Sequence, residues 1–108
     1  MPDDSACGPS PRPRRGLPPE AVAGLREAFA GEVTTRLPRL LQLLGGPPGP
    51  DALRDAHALG SSAVVVGEND ASRTARALEA ELGGDADPAE VQRLVRELAA
   101  QLGAWVPA

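Results

Sequence analysis

The stretch PEAVAGLREAFAGEVTTRLPRLLQLL, residues 19–44, decides the fold class of this protein. Its apolar residues recur at steps of three and four, which is the spacing of one face of an α-helix. They are Val22, Leu25, Phe29, Val33, Leu37, Leu40 and Leu44. Pro38 removes one backbone donor, so the stretch is predicted to form either one kinked helix or two shorter ones before Gly45 ends it.

Three further helices are predicted by the same spacing, over residues 51–66, over residues 69–82 and from residue 87 onward. Each begins with an Asp or Asn that can cap the first turn, and glycines follow the first two. These caps and stops are Asp51, Gly67, Asn69 or Asp70, Gly83 with Gly84, and Asp87. Four amphipathic helices joined by short turns predict an all-α protein, an antiparallel four-helix bundle with up-down-up-down order over residues 19–108.

Composition supports one small helical domain and excludes several kinds of function. The 108-residue chain has one Phe, one Trp and no Tyr, which disfavours a β-sandwich. Its net charge is -4, so the chain lacks the basic surface that binding to the phosphates of a nucleic acid requires. A single Cys allows no internal disulfide, and no apolar run reaches the ~20 residues that span a membrane. We therefore expect a cytoplasmic monomer with no nucleic-acid or membrane partner.

Residues 1–18 differ from the rest of the chain. They contain several prolines, three arginines and no apolar periodicity. Such a segment cannot bury enough apolar surface to offset the entropy lost on ordering. The sequence predicts a disordered, Pro- and Arg-rich leader there.

The second predicted helix carries the only histidine of the chain. At about 100° per residue, its core-facing side is formed by Ala52, Ala56, Leu59, Ala63 and Val66. His57 lies nearly opposite them, so its side chain is predicted to point into solvent from the middle of the helix. A histidine in that position serves no packing purpose, which favours a chemical role.

Small residues follow His57 by one helical turn. Gly60 and Ser61 stand at i+3 and i+4, although Gly costs roughly 1 kcal/mol relative to Ala inside a helix. They are predicted to leave the imidazole uncovered for the active site of another protein, with Leu53 and Val64 as apolar contacts beside it. Imidazole is partly neutral and nucleophilic at neutral pH, so it can attack phosphorus without a general base.

The residues AHALGSSAVVVG at 56–67, followed by SRTARALE at 72–79, resemble the signature of the histidine-containing phosphotransfer (HPt) domain family. In that signature the phospho-accepting histidine is followed by a Leu at its second position, by small residues and by a Gly at its tenth. Here these are His57, Leu59, Ser61 with Ser62, and Gly67, and Leu78 with Glu79 match the Leu-Glu pair that ends the motif. The first helix resembles the family through Phe29, Glu32, Leu37 and Leu40.

The resemblance implies a phosphoryl carrier, not an enzyme with its own substrate or kinase activity, that bears the phosphoryl group on His57 in a two-component phosphorelay. The implied partners are response-regulator receiver domains and hybrid sensor histidine kinases. They would dock over Leu53, Arg54, Gly60, Ser61 and Val64. No cofactor or metal is expected on this chain, because the Mg²⁺ of the reaction belongs to the receiver.

The chain departs from the family beside the histidine. The family usually has Lys three residues after the histidine and Gly four residues after it, whereas this chain has Gly60 and Ser61. By resemblance the Lys helps to hold the phosphoryl group, and our hypothesis is that Arg54, Arg73 or Arg76 replaces it. The alternative function is a phosphotransfer-inactive bundle that acts as a receiver-binding or structural interaction module.

Other kinds of site are disfavoured. Ser61 and Asp55 share one helix with His57, whereas a hydrolase triad needs side chains that converge from different elements on an oxyanion hole. One His and one distant Cys leave only carboxylates for a metal, and Glu79 and Glu81 are interpreted as a solvated helix face. The chain contains no GxxxxGK[ST] or GxGxxG loop, so nucleotide binding is not indicated.

Overall fold

The computed structural model describes residues 17–106, which form four α-helices. They are α1 (Pro19–Leu41), α2 (Ala52–Val65), α3 (Asn69–Gly83) and α4 (Pro88–Leu102). One 3-10 turn, Gln42–Leu44, follows α1 and another, Gly103–Trp105, follows α4. The all-helical prediction is confirmed for the described residues, and no helix among them is long and apolar enough to cross a bilayer. Residues 1–16 of the predicted leader lie outside the described range.

The four helices enclose a single core. α1 contacts α2 and α4, and α3 contacts both α2 and α4. The core consists mainly of Leu, Val and Ala, and its largest fully buried side chains include Leu40, Leu59, Leu78, Leu98 and Leu102. Phe29 is the aromatic contribution of α1, and Trp105 packs against it edge-on with ring centroids 4.7 Å apart. This contact packs the 3-10 turn after α4 against α1.

Local signals set two helix boundaries as predicted. Gly67 follows α2 in the left-handed region with φ of 83°, a conformation that glycine adopts without steric cost. Asp87 precedes α4, and its carboxylate accepts a hydrogen bond from the backbone N–H of Ala89 at 3.3 Å. The α2 stop and the α4 cap are therefore confirmed.

The other two predicted caps are wrong. Asp51 does precede α2, but its side chain makes no cap hydrogen bond and accepts instead from Arg54. The α3 helix begins at Asn69 itself, and no side chain caps it. Tertiary packing supplies most of the stability of helices in folded proteins, so these two need no cap of this kind.

The first helix is continuous but less buried than its apolar stripe predicts. It runs unbroken through Pro38 to Leu41, so the alternative of two shorter helices is wrong. Val22 and Leu25 are exposed, and full burial begins at Phe29. Since α1 has 23 residues and the other helices have 14 or 15, it is longer than its neighbours by about two turns, and its first turns lack a complete cover.

A buried carboxylate joins α1 to α2 on the side of α2 away from His57. Asp55 Oδ1 accepts hydrogen bonds from Arg36 at 2.8 Å and from Arg39 at 3.0 Å. Arg36 also donates to Glu32 at 2.6 Å. That bond and the one to Asp55 raise the pKa of the Arg36 guanidinium, against the lowering that burial causes. The carboxylate thus fixes the position of α2 through two charged partners on one neighbouring helix.

The Asp55→Ala variant is expected to lose about 1–3 kcal/mol of unfolding free energy, because two charge-assisted hydrogen bonds between α1 and α2 disappear. The loss stays moderate because Arg36 and Arg39 can both reach water, with 23% and 44% of their side chains exposed. Urea denaturation followed by circular dichroism measures it. Asp51→Ala is the control and should change the value by less than about 0.5 kcal/mol. Equal stability of the two variants would contradict a structural role for Asp55.

Candidate functional site

His57 lies in the middle of α2, and 66% of its side chain is exposed. The opposite side of the helix is turned inward because Ala56, Leu59 and Ala63 are buried in the core. The predicted solvent exposure of His57 is confirmed, and its cause is the apolar spacing of α2. Val66, which was predicted to share the core side, is only partly buried.

The third helix supplies a hydrogen-bond partner for the imidazole. His57 Nδ1 lies 2.8 Å from Glu79 Oε2, and 33% of the Glu79 side chain is exposed. An ionised carboxylate has only acceptor atoms, so Nδ1 carries the proton and donates it to this bond. The other ring nitrogen, Nε2, then holds the free lone pair. The interpretation of Glu79 as part of a solvated helix face is therefore wrong.

Gly60 is buried between α2 and α3, not exposed beside the imidazole. A Cβ atom at this position would lie 3.3 Å from Arg76 Cγ and 3.5 Å from Ala75 Cβ. The Ser72 hydroxyl donates to the Gly60 carbonyl at 2.8 Å. Gly60 therefore permits the close approach of α3. Its predicted place on the exposed docking face is wrong, because periodicity alone does not tell which flank of His57 a neighbouring helix covers.

The four other residues of the predicted docking face are exposed on the side of α2 that carries His57. Leu53 and Val64 present apolar side chains to solvent, and Ser61 lies between them. Arg54 is exposed and its guanidinium lies 3.4 Å from Asp51 Oδ1. The structure thus groups an imidazole, two apolar side chains, a hydroxyl and a paired cation on one surface.

The acidic residues of α3 have separate partners. Glu79 pairs with His57, whereas Glu81 Oε2 accepts a hydrogen bond from the backbone N–H of Asp87 at 3.0 Å and so closes the turn into α4. Glu81 is therefore not simply a solvated side chain either. Within residues 17–106, no three His, Cys, Asp or Glu side chains lie together as a metal site requires.

One protein-family model, described as Hpt domain, matches residues 24–105, which include His57, Glu79 and the whole of α2, α3 and α4. The chain belongs to the Hpt domain family. Hpt domains are phosphocarriers without intrinsic kinase activity that serve histidine phosphotransfer, and they interact with receiver domains and histidine kinases in phosphorelays. A search of curated proteins and a search of solved structures each found no significant match.

Two important contacts of this Hpt domain were not predicted from sequence. The ion pairs of Asp55 could have been predicted. Asp55 stands on the core-facing side of α2, where a carboxylate must be paired to be tolerated. Arginines at matching positions on α1 were the available partners. The bond from His57 to Glu79 had no local signal, since the two residues are 22 positions apart. Only the packing of α2 against α3 in this Hpt domain brings them together.

Proposed function

We propose that His57 accepts a phosphoryl group on Nε2 and passes it on, so that the protein acts as a phosphorelay intermediate. The observation that carries this proposal is the exposed imidazole, whose Nδ1 is held 2.8 Å from Glu79 Oε2. That bond orients the ring and leaves Nε2 as the nucleophile. Membership of the Hpt domain family supports the same chemistry.

The proposed transfer step needs no general base. The Nε2 lone pair attacks the phosphorus of a receiver's aspartyl phosphate and forms the N–P bond. At the same time the P–O bond to the aspartate breaks, and the carboxylate leaves with the bonding electron pair. The Nδ1 proton stays on the ring, where the Glu79 carboxylate offsets the positive charge that the ring acquires. Transfer to the next receiver is the reverse of this step.

Positioning and charge neutralisation account for most of the catalysis of phosphoryl transfer. In our proposal this chain supplies an oriented nucleophile, while the receiver supplies Mg²⁺ and the acidic site that binds it. The chain itself then needs no cofactor and has no kinase activity of its own. This division of roles agrees with the surface around His57, which is formed by two apolar side chains, one hydroxyl and one arginine.

We infer that a receiver domain docks on the surface of α2 formed by Leu53, Arg54, Ser61 and Val64. The two apolar side chains offer contact area beside the imidazole, and Ser61 is small and exposed. A hybrid sensor histidine kinase is the inferred source of the phosphoryl group. The cytoplasmic location, which was inferred from composition, and the monomeric state stay predictions.

The up-down-up-down order is part of the same proposal. The contact between α2 and α3 supports it, because these two helices run antiparallel: residue numbers increase along α2 while those of the facing residues on α3 decrease. The facing pairs are Leu53 with Gly83, His57 with Glu79, and Gly60 with Arg76. We propose that the bundle spans residues 19–108 and that residues 1–18 are a leader outside it.

Incubation of the purified protein with a panel of phosphorylated receiver domains tests the proposed function. We expect at least one receiver to transfer a label that is labile in acid and stable in base, as a phosphohistidine is. Because the chain has a single histidine, such a label assigns the site. Receiver binding without label would favour the phosphotransfer-inactive docking module, and neither label nor binding would leave a structural helical module.

A further inference from the structure

The third helix presents Arg76 one turn before Glu79, on the side that faces α2. Arg76 Cγ lies 3.3 Å from the position that a Cβ of residue 60 would occupy, so the stem of the side chain crosses α2 at Gly60. Residues at i and i+3 of a helix have Cβ positions about 5–6 Å apart, which places this crossing one turn from His57. Arg76 is itself exposed, so its guanidinium is free to extend beyond the crossing toward the surface that carries the imidazole.

A phosphoryl group on His57 would need a cation close to it. Such a group brings about two negative charges, and Glu79 already contributes a carboxylate at the same imidazole. Repulsion between these like charges raises the energy of the phosphorylated state unless a positive group offsets it. Residue 60 itself offers no cation, because it is a glycine.

Two of the three candidate arginines are already paired, and one of these two, Arg73, lines the groove between α3 and α4. Arg54 lies 3.4 Å from Asp51, and Arg73 pairs with Asp70 one turn away on its own helix. Arg76 forms no ion pair with any residue between 17 and 106. Of the three, Arg76 is also the one whose side chain crosses α2 at the position one turn from His57.

We propose that Arg76 binds the phosphoryl oxygens on Nε2 of His57, and that Gly60 is a glycine so that the Arg76 side chain can cross α2. The inference rests on the proposed function of His57 and adds the residue that holds the transferred group. A guanidinium can donate two parallel hydrogen bonds to two oxygens of one phosphoryl group, and it stays protonated throughout. The stabilising cation then comes from α3 and not from α2.

The first test compares transfer rates from one receiver that labels the wild-type protein. Arg76→Ala is expected to slow transfer about tenfold. This is less than the roughly 100-fold cost of losing a donor in a site that excludes water, because this site is open to water. Arg76→Lys should stay within about threefold of wild type, since the charge is kept. Arg73→Ala is the matched control, an exposed arginine one turn earlier on the same helix, and should stay within about twofold.

A second test separates contact with the phosphoryl group from receiver docking. Phosphoramidate is a small donor that needs no docking surface, and the hydrolysis of the resulting phosphohistidine can be followed by ³¹P NMR. Arg76→Ala is expected to shorten the lifetime of phospho-His57 about tenfold and to shift its ³¹P resonance. Slower transfer from the receiver with an unchanged lifetime and resonance would assign Arg76 to docking and overturn the proposal.

A rescue variant tests the geometry directly. In the Arg76→Ala background, the atom closest to a new Cβ at residue 60 is gone, so Gly60→Lys can return a cation to the same place from α2. We expect this double variant to recover at least half of the transfer rate that Arg76→Ala loses. The recovery would come from the returned positive charge, because better packing between α2 and α3 supplies no cation for the phosphoryl group. Circular dichroism and the Tm of each variant show that it is folded before rates are compared.

The outcomes distinguish this inference from the proposed function. A wild-type protein that takes no label from any receiver or from phosphoramidate would overturn the carrier function itself. A labelled wild-type protein, with Arg76→Ala transferring at the wild-type rate or no slower than Arg73→Ala, would overturn only the role of Arg76.

Discussion

We expect the His57→Gln variant to lose phosphoryl transfer completely while it keeps its fold and its receiver binding. The chain has no second histidine that could accept the group, and an amide is not a nucleophile toward phosphorus at neutral pH. The imidazole is two-thirds exposed, with 66% of the side chain in solvent, so its loss leaves no cavity. Gln is a good helix former, and the unfolding free energy should change by less than about 0.5 kcal/mol.

The measurement is the label transferred from a phosphorylated receiver, together with the Kd of the same unphosphorylated receiver. Arg96→Ala is the control, because this exposed residue lies on α4, which does not contact α2 or the docking surface on it. It should be labelled at a rate within about threefold of wild type. An acid-labile label that persists on His57→Gln would show that the acceptor lies elsewhere.

The second large effect is expected for Glu79→Ala, which should slow phosphoryl transfer about 10–100-fold. The variant removes the acceptor at Nδ1, so the proton is free to move to Nε2, and the tautomer with a nucleophilic Nε2 becomes less populated. It also removes the negative charge that offsets the charge of the phosphorylated ring. Glu79→Gln keeps an acceptor without the charge, and we expect about a tenfold loss.

The single histidine makes this prediction accessible to NMR. The ¹⁵N shifts of the two ring nitrogens report the tautomer of His57, and Glu79→Ala should move the population toward the form with the proton on Nε2. Glu81→Ala is the control on the same helix, because that carboxylate bonds the backbone of Asp87 and not the imidazole. If Glu79→Ala keeps the wild-type tautomer and the wild-type rate, then the bond between His57 and Glu79 does not prepare the nucleophile.

The predictions that succeeded depend on local physical chemistry. Apolar spacing at three and four residues marks each helix. Gly67 and Asp87 act on the backbone within one turn, and the exposure of His57 follows from the burial of its neighbours on the opposite face. Apart from the side-chain caps predicted for α2 and α3, the predictions that failed concern what covers a residue from outside its own helix. Val22 lacks a cover because α1 is longer than the helices beside it, and Gly60 is covered because α3 lies against that flank.

The amino-acid sequence is therefore enough to derive an all-helical fold for residues 17–106 with one exposed imidazole, because helical periodicity is a property of consecutive residues. It is not enough to place Glu79 on Nδ1, Arg76 across Gly60, or the Asp55 carboxylate between two arginines of α1. Those contacts join residues 16 to 22 positions apart. They depend on the register and crossing angle of neighbouring helices. The packing of whole helix surfaces sets both, so no single stretch of sequence encodes these contacts.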